Sequence, residues 1–467
     1  MCGIFGVYSL SRENVAKKIY YGLFSLQHRG QEGAGIATSD SYNIYSYKNI
    51  GLVTEVFNDE ILQNLIGYIG IGHVRYSTTG GKCLENCQPF VVKSSFGNIA
   101  IAHNGDLLNS EELRLELEKK GHIFTSSTDS EVIAQLLVRE LLKTKDRVEA
   151  IQNTLKKLVG AYSLLIMFND KIFAIRDPWG FKPLCLGRDE DNIYVSSEDC
   201  AINTLDAKFV RDLEPGEIVE IGEYINIYKI ENEDIYNVEL EGERVYKKAA
   251  TCMFEYVYFA RPDSTIDGIS VYKVRKNIGR ELAKEHPTDA DIVSPIPDSG
   301  NTFALGYAEE SKIPYYEGLM KNKYVGRTFI LPSQNERELA VRLKLSPIRA
   351  VLEDKRVVLV DDSIVRGTTS RRIVELVRKA GAKEVHLRIG CPKIISPCYY
   401  GIDMPTKKEL IASNKDLESI RKEIGADSLG YISLEGLIKA IGRKDLCLAC
   451  LTGRYPTPIK FKKVKDY

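Results

Sequence analysis

Between Val357 and Ser370 the chain reads VVLVDDSIVRGTTS: four branched or large apolar residues, two adjacent aspartates, then a turn of small residues with hydroxyls. The apolar run predicts a strand buried on both faces of a parallel sheet, and ligands of such sheets bind where strands end. Asp361 and Asp362 stand at that end. Ile364–Thr369 predict a loop ahead of a helix whose apolar residues Ile373, Val374, Leu376 and Val377 share a face and which Gly381 stops. Backbone N–H groups at such a helix start hold phosphate. Paired carboxylates beside them suit a ribose with two hydroxyls to bind and a pyrophosphate that arrives with a divalent metal. The plainer alternative is a buried strand ending in a solvated acidic turn.

Two further groups of residues could do chemistry. Cys2 follows Met1 directly, and a small second residue favours removal of the methionine, which leaves a thiol and an α-amine on one residue. With a pKa of about 7.7–8.0, such an amine can take the thiol proton through a water, so that Cys2 attacks a carbonyl. Taken alone, Met-Cys-Gly reads equally as a small apolar residue opening a strand. Cys447-Leu-Ala-Cys450 offers two ligands on one turn, a spacing common to iron–sulfur and zinc sites, and Cys252 and Cys398 could complete a Cys₄ set. Unpaired buried thiols are the other reading.

The elements that must position these residues differ between the halves. Residues 1 to about 235 are rich in short alternating segments such as GIFGVYS, GAGIATSD and NIAIAHNGD, which predict antiparallel sheets, with helical spacing at Val15–Leu26 and over the longer Glu131–Leu158. Tyr224–Lys248 is charged and rich in tyrosine, an edge strand leading into a connector. Beyond it, Asp291–Pro295, Val357–Val360 and Glu384–Ile389 are predicted strands separated by helices, the pattern of a doubly wound parallel sheet. In Ser294–Gly300 the prolines set an extended turn in which Asp298, Ser299 and Gly300 present carboxylate, hydroxyl and N–H to a pyrophosphate. Lys321–Arg342, with Lys321, Lys323, Arg327, Arg337 and Arg342, reads as a lid over polyphosphate or as a solvated basic loop.

Composition bounds the rest. The 467 residues, 44% hydrophobic and 27% charged, are enough for two or three domains with buried cores. The 64 basic and 64 acidic residues cancel, which argues against a nucleic-acid surface. No run approaches 18 apolar residues and no signal core follows the N-terminus, so neither membrane nor export is expected and a cytoplasmic location is. Ten cysteines in such a chain are expected as thiols, ligands or nucleophiles rather than a disulfide framework.

MCGIFGV, QHRGQEGAGIA, GHVRYSTTG, AHNGDLLN and SSTDSEV, in this order, resemble the class II glutamine amidotransferases, and VVLVDDSIVRGTTS resembles the signature of the type I phosphoribosyltransferases. Both halves together, with FEYVYFARPDS, SPIPDSG, KNKYVGRTFILPSQNER and YGIDMPT, are similar to the glutamine phosphoribosylpyrophosphate amidotransferase family over nearly the whole chain. The resemblance implies an α/β protein: an N-terminal-nucleophile αββα sandwich over residues 2–235, then a parallel-sheet phosphoribosyltransferase domain over 245–467. It implies the first committed step of purine synthesis, in which ammonia freed from glutamine displaces pyrophosphate from phosphoribosyl pyrophosphate to give phosphoribosylamine.

By the same resemblance Cys2 is the nucleophile, Asn104 and Gly105 form the oxyanion hole, Arg75 binds the glutamine carboxylate and Asp129 its amine. Asp298, Ser299, Lys323, Arg327, Asp361, Asp362, Ser363, Arg366, Gly367, Thr368 and Thr369 bind phosphoribosyl pyrophosphate, with one Mg²⁺ per subunit at Ser299, Asp361 and Asp362. Cys252, Cys398, Cys447 and Cys450 match the ligands of a structural [4Fe–4S] cluster, Cys391 standing seven residues before the matching position. Purine nucleotides are expected inhibitors, and a homo-oligomer, a tetramer as in the family, is the expected assembly. His73, His103, Cys83 and Cys87 receive no role, and Trp179 is expected in the core. Two other functions share parts of this pattern: a glutaminase head serving another acceptor, and a regulatory paralogue without turnover.

Overall fold

The computed structural model describes residues 1–76, 81, 83–230, 238–240, 243–245, 249–322, 345–404 and 406–459. The first half is two stacked antiparallel sheets. One has seven strands in the order Lys208–Asp212, Cys185–Arg188, Asn192–Ser196, Gly3–Ser9, Ile69–Arg75, Gly33–Ser39, Ile44–Ile50. The other has six, Ile225–Lys229, Glu217–Ile221, Ile172–Arg176, Gly160–Met167, Gly97–Leu107 and Phe90–Ser94. Side chains of a strand alternate between faces, and the apolar residues obey this. Ile4, Tyr8, Ile69, Ile71, Ala100 and Ala102 fill the space between the sheets. Phe5 and Val7 turn outward under helix Ala16–Ser25, and Ile99 and Ile101 under helix Asp129–Thr144. The layers are therefore helix, sheet, sheet, helix, as the sequence predicts, and Ile225–Lys229 is the expected edge strand.

Glu131–Leu158 is not one helix. It divides into Asp129–Thr144 and Arg147–Leu155, because Lys145 adopts φ 60 and Asp146 then caps a new start, accepting from Glu149 N at 2.8 Å. The apolar spacing runs through the break since both helices cover the same sheet face.

The second half holds a parallel sheet in the order Ile292–Pro295, Arg356–Asp361, Glu384–Ile389, Ser428–Tyr431, with Tyr315 bridged in parallel to Val293 on the outer side. The chain thus goes first to one edge and then back across to the other, and the reversal lies between Ile292–Pro295 and Arg356–Asp361. Helices Val271–Glu285, Asn301–Ser311 and Leu434–Ile441 cover one face, Thr368–Lys379 and Leu417–Ile424 the other. The switch point is where such sheets bind ligands. Strands Leu319–Lys321 and Leu345–Pro347 pair with each other; Lys323, Arg327, Arg337 and Arg342 lie outside the described residues. No helix among the described residues is long and apolar enough to cross a membrane.

The halves share a core. Met1, Leu108, Trp179 and Phe181 of the first join Phe254, Tyr256, Tyr400 and Cys447 of the second in one apolar cluster, with Phe181 and Tyr400 stacked at 4.2 Å between ring centroids. Beside it Arg176, 1% exposed, binds Asp267 twice, at 2.7 and 3.2 Å, and Arg443 binds the same carboxylate at 2.6 Å. Burial alone would raise the Asp267 pKa, but Arg176 and Arg443 outweigh it and hold the carboxyl below its ordinary range. Its stabilisation is therefore present above the unfolded pKa of about 3.9 and is lost as pH falls through the folded value. Asp267→Ala, which leaves the buried Arg176 and the partly buried Arg443 short of a partner, is expected to cost about 3–5 kcal/mol in denaturant unfolding at neutral pH. The gap to the parent should narrow in acid; equal unfolding midpoints at neutral pH would refute this.

Candidate functional site

Pleat parity builds the first site. Cys2 precedes the strand Gly3–Ser9 on the parity of Ile4 and Tyr8, which face between the sheets. Ile4 pairs with His73 and Gly3 with Val74, so the same register sets Arg75 across from Cys2. The Cys2 N–H donates to Asn104 Oδ1 at 3.1 Å, and its Sγ lies 3.6 Å from the Tyr76 carbonyl. Asn104 shares the inward parity of Ala100 and Ala102; with Oδ1 engaged, its buried Nδ2 has no hydrogen-bond partner among the described residues. At Gly105 any Cβ would lie 1.9 Å from the Ala161 carbonyl oxygen, so no other residue fits.

Asp129 begins a helix, where the dipole favours a carboxylate. It accepts from Leu107 N at 2.9 Å and Ser130 Oγ at 3.3 Å, with His103 Nδ1 at 3.6 Å. Burial opposes a charge on His103, but Asp129 outweighs it and raises the imidazole pKa. His73, whose Nε2 meets the His103 carbonyl, is pushed down to about 3 by burial and stays neutral. Arg75 is buried and donates to the Gly81 carbonyl at 3.3 Å. Met1 is present and buried, its α-amine lowered to about 6 chiefly by burial.

The second site is a pocket of about 500 Å³ at the switch point. Ser299, Asp361, Asp362, Ser363, Arg366, Gly367, Thr368 and Thr369 line it, and so do His28 and Tyr76 from the first half. The two loops of the sheet are tied by Ile296 N donating to the Val360 carbonyl at 2.9 Å. Gly367 sits at φ +79 and caps helix Thr368–Lys379, whose N–H groups open on the pocket. Burial, and then the Asp362 carboxylate, push the Asp361 carboxyl well above its ordinary range. Asp298 is exposed and ion-paired with Lys321, and it does not line the pocket. Arg366 pairs with Glu409 at 3.1 Å.

The four cysteines come from three segments. Cys252 and Cys447 are register partners in a short parallel pair, and Ile395 N and Ser396 N donate to the Cys450 carbonyl at 2.9 and 3.1 Å, which ties the segment before Cys398 to it. Tyr400 N donates to Cys398 Sγ at 3.3 Å. All four are buried and free of disulfides; burial above all, and the neighbouring thiols besides, raise the pKa of Cys252, Cys447 and Cys450, Cys391 also acting on Cys450. Burial pushes Cys252 up to about 11, and the Lys182 ammonium pulls the other way. Lys182 is wholly buried, its Nζ 2.8 Å from Met1 Sδ. Among the described residues no three His, Cys, Asp or Glu side chains close on a point that could hold one metal ion. A single zinc would need that convergence. A cubane, with one thiolate on each of four irons, keeps its ligands farther apart, and Mg²⁺ takes most of its ligands from water and substrate.

Sequence reasoning missed the residues between the sites. Arg29, Glu198 and Glu255 are fully buried and ion-paired, with Arg29 Nε donating to the Cys2 carbonyl at 3.0 Å. Arg29 inside QHRG and Glu255 inside FEYVYFARPDS were the signals, and Glu198 had none. Gly401, of the quoted YGID, lies at φ +88 with its missing Cβ 2.8 Å from the carbonyl carbon of Gly105.

A sandwich with an N-terminal cysteine, joined to a parallel sheet with a phosphate loop, defines a glutamine amidotransferase fused to a phosphoribosyltransferase. Residues 73–204 match the glutamine amidotransferase domain family and residues 270–395 the phosphoribosyl transferase domain family. The chain is 80% identical to the amidophosphoribosyltransferase of Methanocaldococcus jannaschii over 99% of both chains, and 49% identical to that of Bacillus subtilis over 98% of this chain and 94% of that one. It superposes on the B. subtilis glutamine phosphoribosylpyrophosphate amidotransferase, solved in complex with ADP and GMP, with a TM-score of 0.91 and 47% identity over 99% of both chains. The chain belongs to the amidophosphoribosyltransferase family, glycosyltransferases that carry glutamine nitrogen to phosphoribosyl pyrophosphate in the first step of purine biosynthesis.

The Gly105–Gly401 contact generates a test. Gly401→Ala should lower glutamate release by about 10²-fold, since it displaces the Gly105 backbone. Gly425→Ala, at φ +82 with open space where its Cβ would stand, should cost only backbone strain. Equal activities of the two variants would contradict the contact's role.

Proposed function

We propose that Cys2, freed of Met1, attacks the glutamine amide, with its own α-amine as base and Asn104 Nδ2 and Gly105 N–H donating to the oxyanion. Arg75 pairs with the glutamine carboxylate and Asp129 with its ammonium. The observation that carries this reading is the buried Asn104 amide, fixed through Oδ1 by the Cys2 N–H while its Nδ2 donor is unspent. Ammonia then crosses a dry passage to the pocket of Asp361 and Asp362 and displaces pyrophosphate at the anomeric carbon. The N–H groups of Gly367–Thr369, with Ser363 and Arg366, hold the ribose phosphate; Ser299 faces the leaving group, Asp298 reaches it only by leaving its ion pair with Lys321, and Lys323 and Arg327 supply further positive charge to it.

Mg²⁺, held by Asp361, Asp362 and Ser299, would neutralise charge on the leaving pyrophosphate. Two adjacent carboxylates without a salt-bridge partner among the described residues fit a cation there. A structural [4Fe–4S] cluster on Cys252, Cys398, Cys447 and Cys450 would cross-link three segments, and the buried Lys182 supplies a counter-charge. Further parts of the reading are inhibition by purine nucleotides at the ribose phosphate pocket, a cytoplasmic homo-oligomer, and a domain boundary between residues 235 and 245.

The test compares the parent with Cys2→Ala, in protein prepared without air. Glutamine-driven synthesis should be abolished in the variant while synthesis from an ammonium salt persists. Persistence of glutamine-driven synthesis would remove Cys2 as the nucleophile.

A further inference from the structure

Glu198 is buried at the junction of the two halves and takes two N–H or O–H donors from each, besides the Cys200 Sγ at 3.8 Å from Oε2. Oε1 accepts from His28 Nε2 at 2.7 Å and from Arg29 Nη1 at 2.5 Å; Oε2 accepts from Arg261 N at 2.9 Å and from Ser264 Oγ at 2.6 Å. The first pair belongs to the glutaminase half and the second to the phosphoribosyltransferase half. Arg29 continues the chain of contacts, donating Nε to the Cys2 carbonyl at 3.0 Å and binding Glu255 at 2.8 and 3.1 Å. At the other end His28 lines the pocket that holds Asp361 and the Thr368–Thr369 turn. Its Nδ1 faces the Ser25 carbonyl at 3.2 Å.

We propose that Glu198 is a positioning residue that reports occupancy of the phosphoribosyl pocket to the nucleophile, an inference that rests on the roles given above to Cys2 and to that pocket. Two donors, His28 and Arg29, share one oxygen of Glu198. A polyanion in the pocket competes with Oε1 for the His28 N–H and loosens that hold. Glu198 then turns more fully to Arg29, and Arg29 carries the change to the Cys2 carbonyl. Two of the donors that fix Glu198 come from the Arg261–Ser264 turn of the second half, so the carboxylate is anchored against the domain in which the polyanion binds. A coupling free energy between two sites needs such a contiguous element that both sites bias.

The experiment uses full-length enzyme and reads glutamate release with and without Mg²⁺–phosphoribosyl pyrophosphate, together with phosphoribosylamine formation from an ammonium salt in the same preparation. For Glu198→Gln the stimulated-to-unstimulated ratio should fall by about ten-fold, within the usual range of allosteric coupling, while ammonia-driven synthesis stays near that of the parent. A purely structural role would lower both reactions together. His28→Asn changes a residue at the pocket wall, partly exposed at 26% of its side chain, and should lower the same ratio even if Glu198→Gln does not fold. An unchanged ratio in either folded variant, or a parallel loss of both reactions, overturns the proposal. A parent enzyme that shows no stimulation overturns it as well, whereas a parent that forms no phosphoribosylamine from the ammonium salt overturns the reading on which it rests.

Discussion

Ammonia is a nucleophile only without its extra proton, and water supplies that proton at once. An enzyme that makes ammonia at one site and uses it at another must therefore keep water out between them. This constraint accounts for features of the junction that neither half needs alone. The apolar cluster from Met1 and Phe181 to Tyr400 and Cys447 runs without a break across the two halves. Gly401 presses on Gly105, so the backbone behind the proposed oxyanion donor is backed by the other half. Tyr76, whose carbonyl meets Cys2 Sγ, also lines the phosphoribosyl pocket.

A dry junction makes its charges expensive to leave unpaired. The structure answers by concentrating them into closed groups that span both halves. Arg29, Glu198, Glu255 and His28 form one; Arg176, Asp267, Arg443 and Asp445 form another. Each contains residues of both domains, so separating the domains would strand buried ions. Such pairs fix geometry more than they add stability, and here the geometry they fix is the position of the Cys2 backbone relative to the phosphoribosyl pocket.

Local pattern carried much of this into the sequence. The run at 357–360 is a strand buried on both faces, as four consecutive apolar residues require, and the aspartates stand at its end. The helix after it and the alternating strands of the first half were equally readable, because pleat and helical period are local properties. The break at Lys145 was not, since two helices lying on one sheet face preserve a single apolar rhythm. Asp298 looked like a pocket residue by its place in the loop, yet Lys321, far along the chain, takes its carboxylate. Neither Glu198 nor Lys182 receives a role from the sequence; only the tertiary fold makes one the meeting point of donors from both halves and buries the other beside thiols and Met1. Long-range pairing of charges has no periodicity for a sequence reading to detect.

The central claim is that the junction delivers ammonia without releasing it. The direct measurement supplies glutamine labelled with ¹⁵N in its side-chain amide, in the presence of excess unlabelled ammonium, and determines the isotope in the phosphoribosylamine formed. The account predicts product nitrogen drawn almost wholly from the labelled glutamine. Label diluted to the composition of the bulk ammonium would mean that ammonia equilibrates with solvent between the sites, and would contradict it.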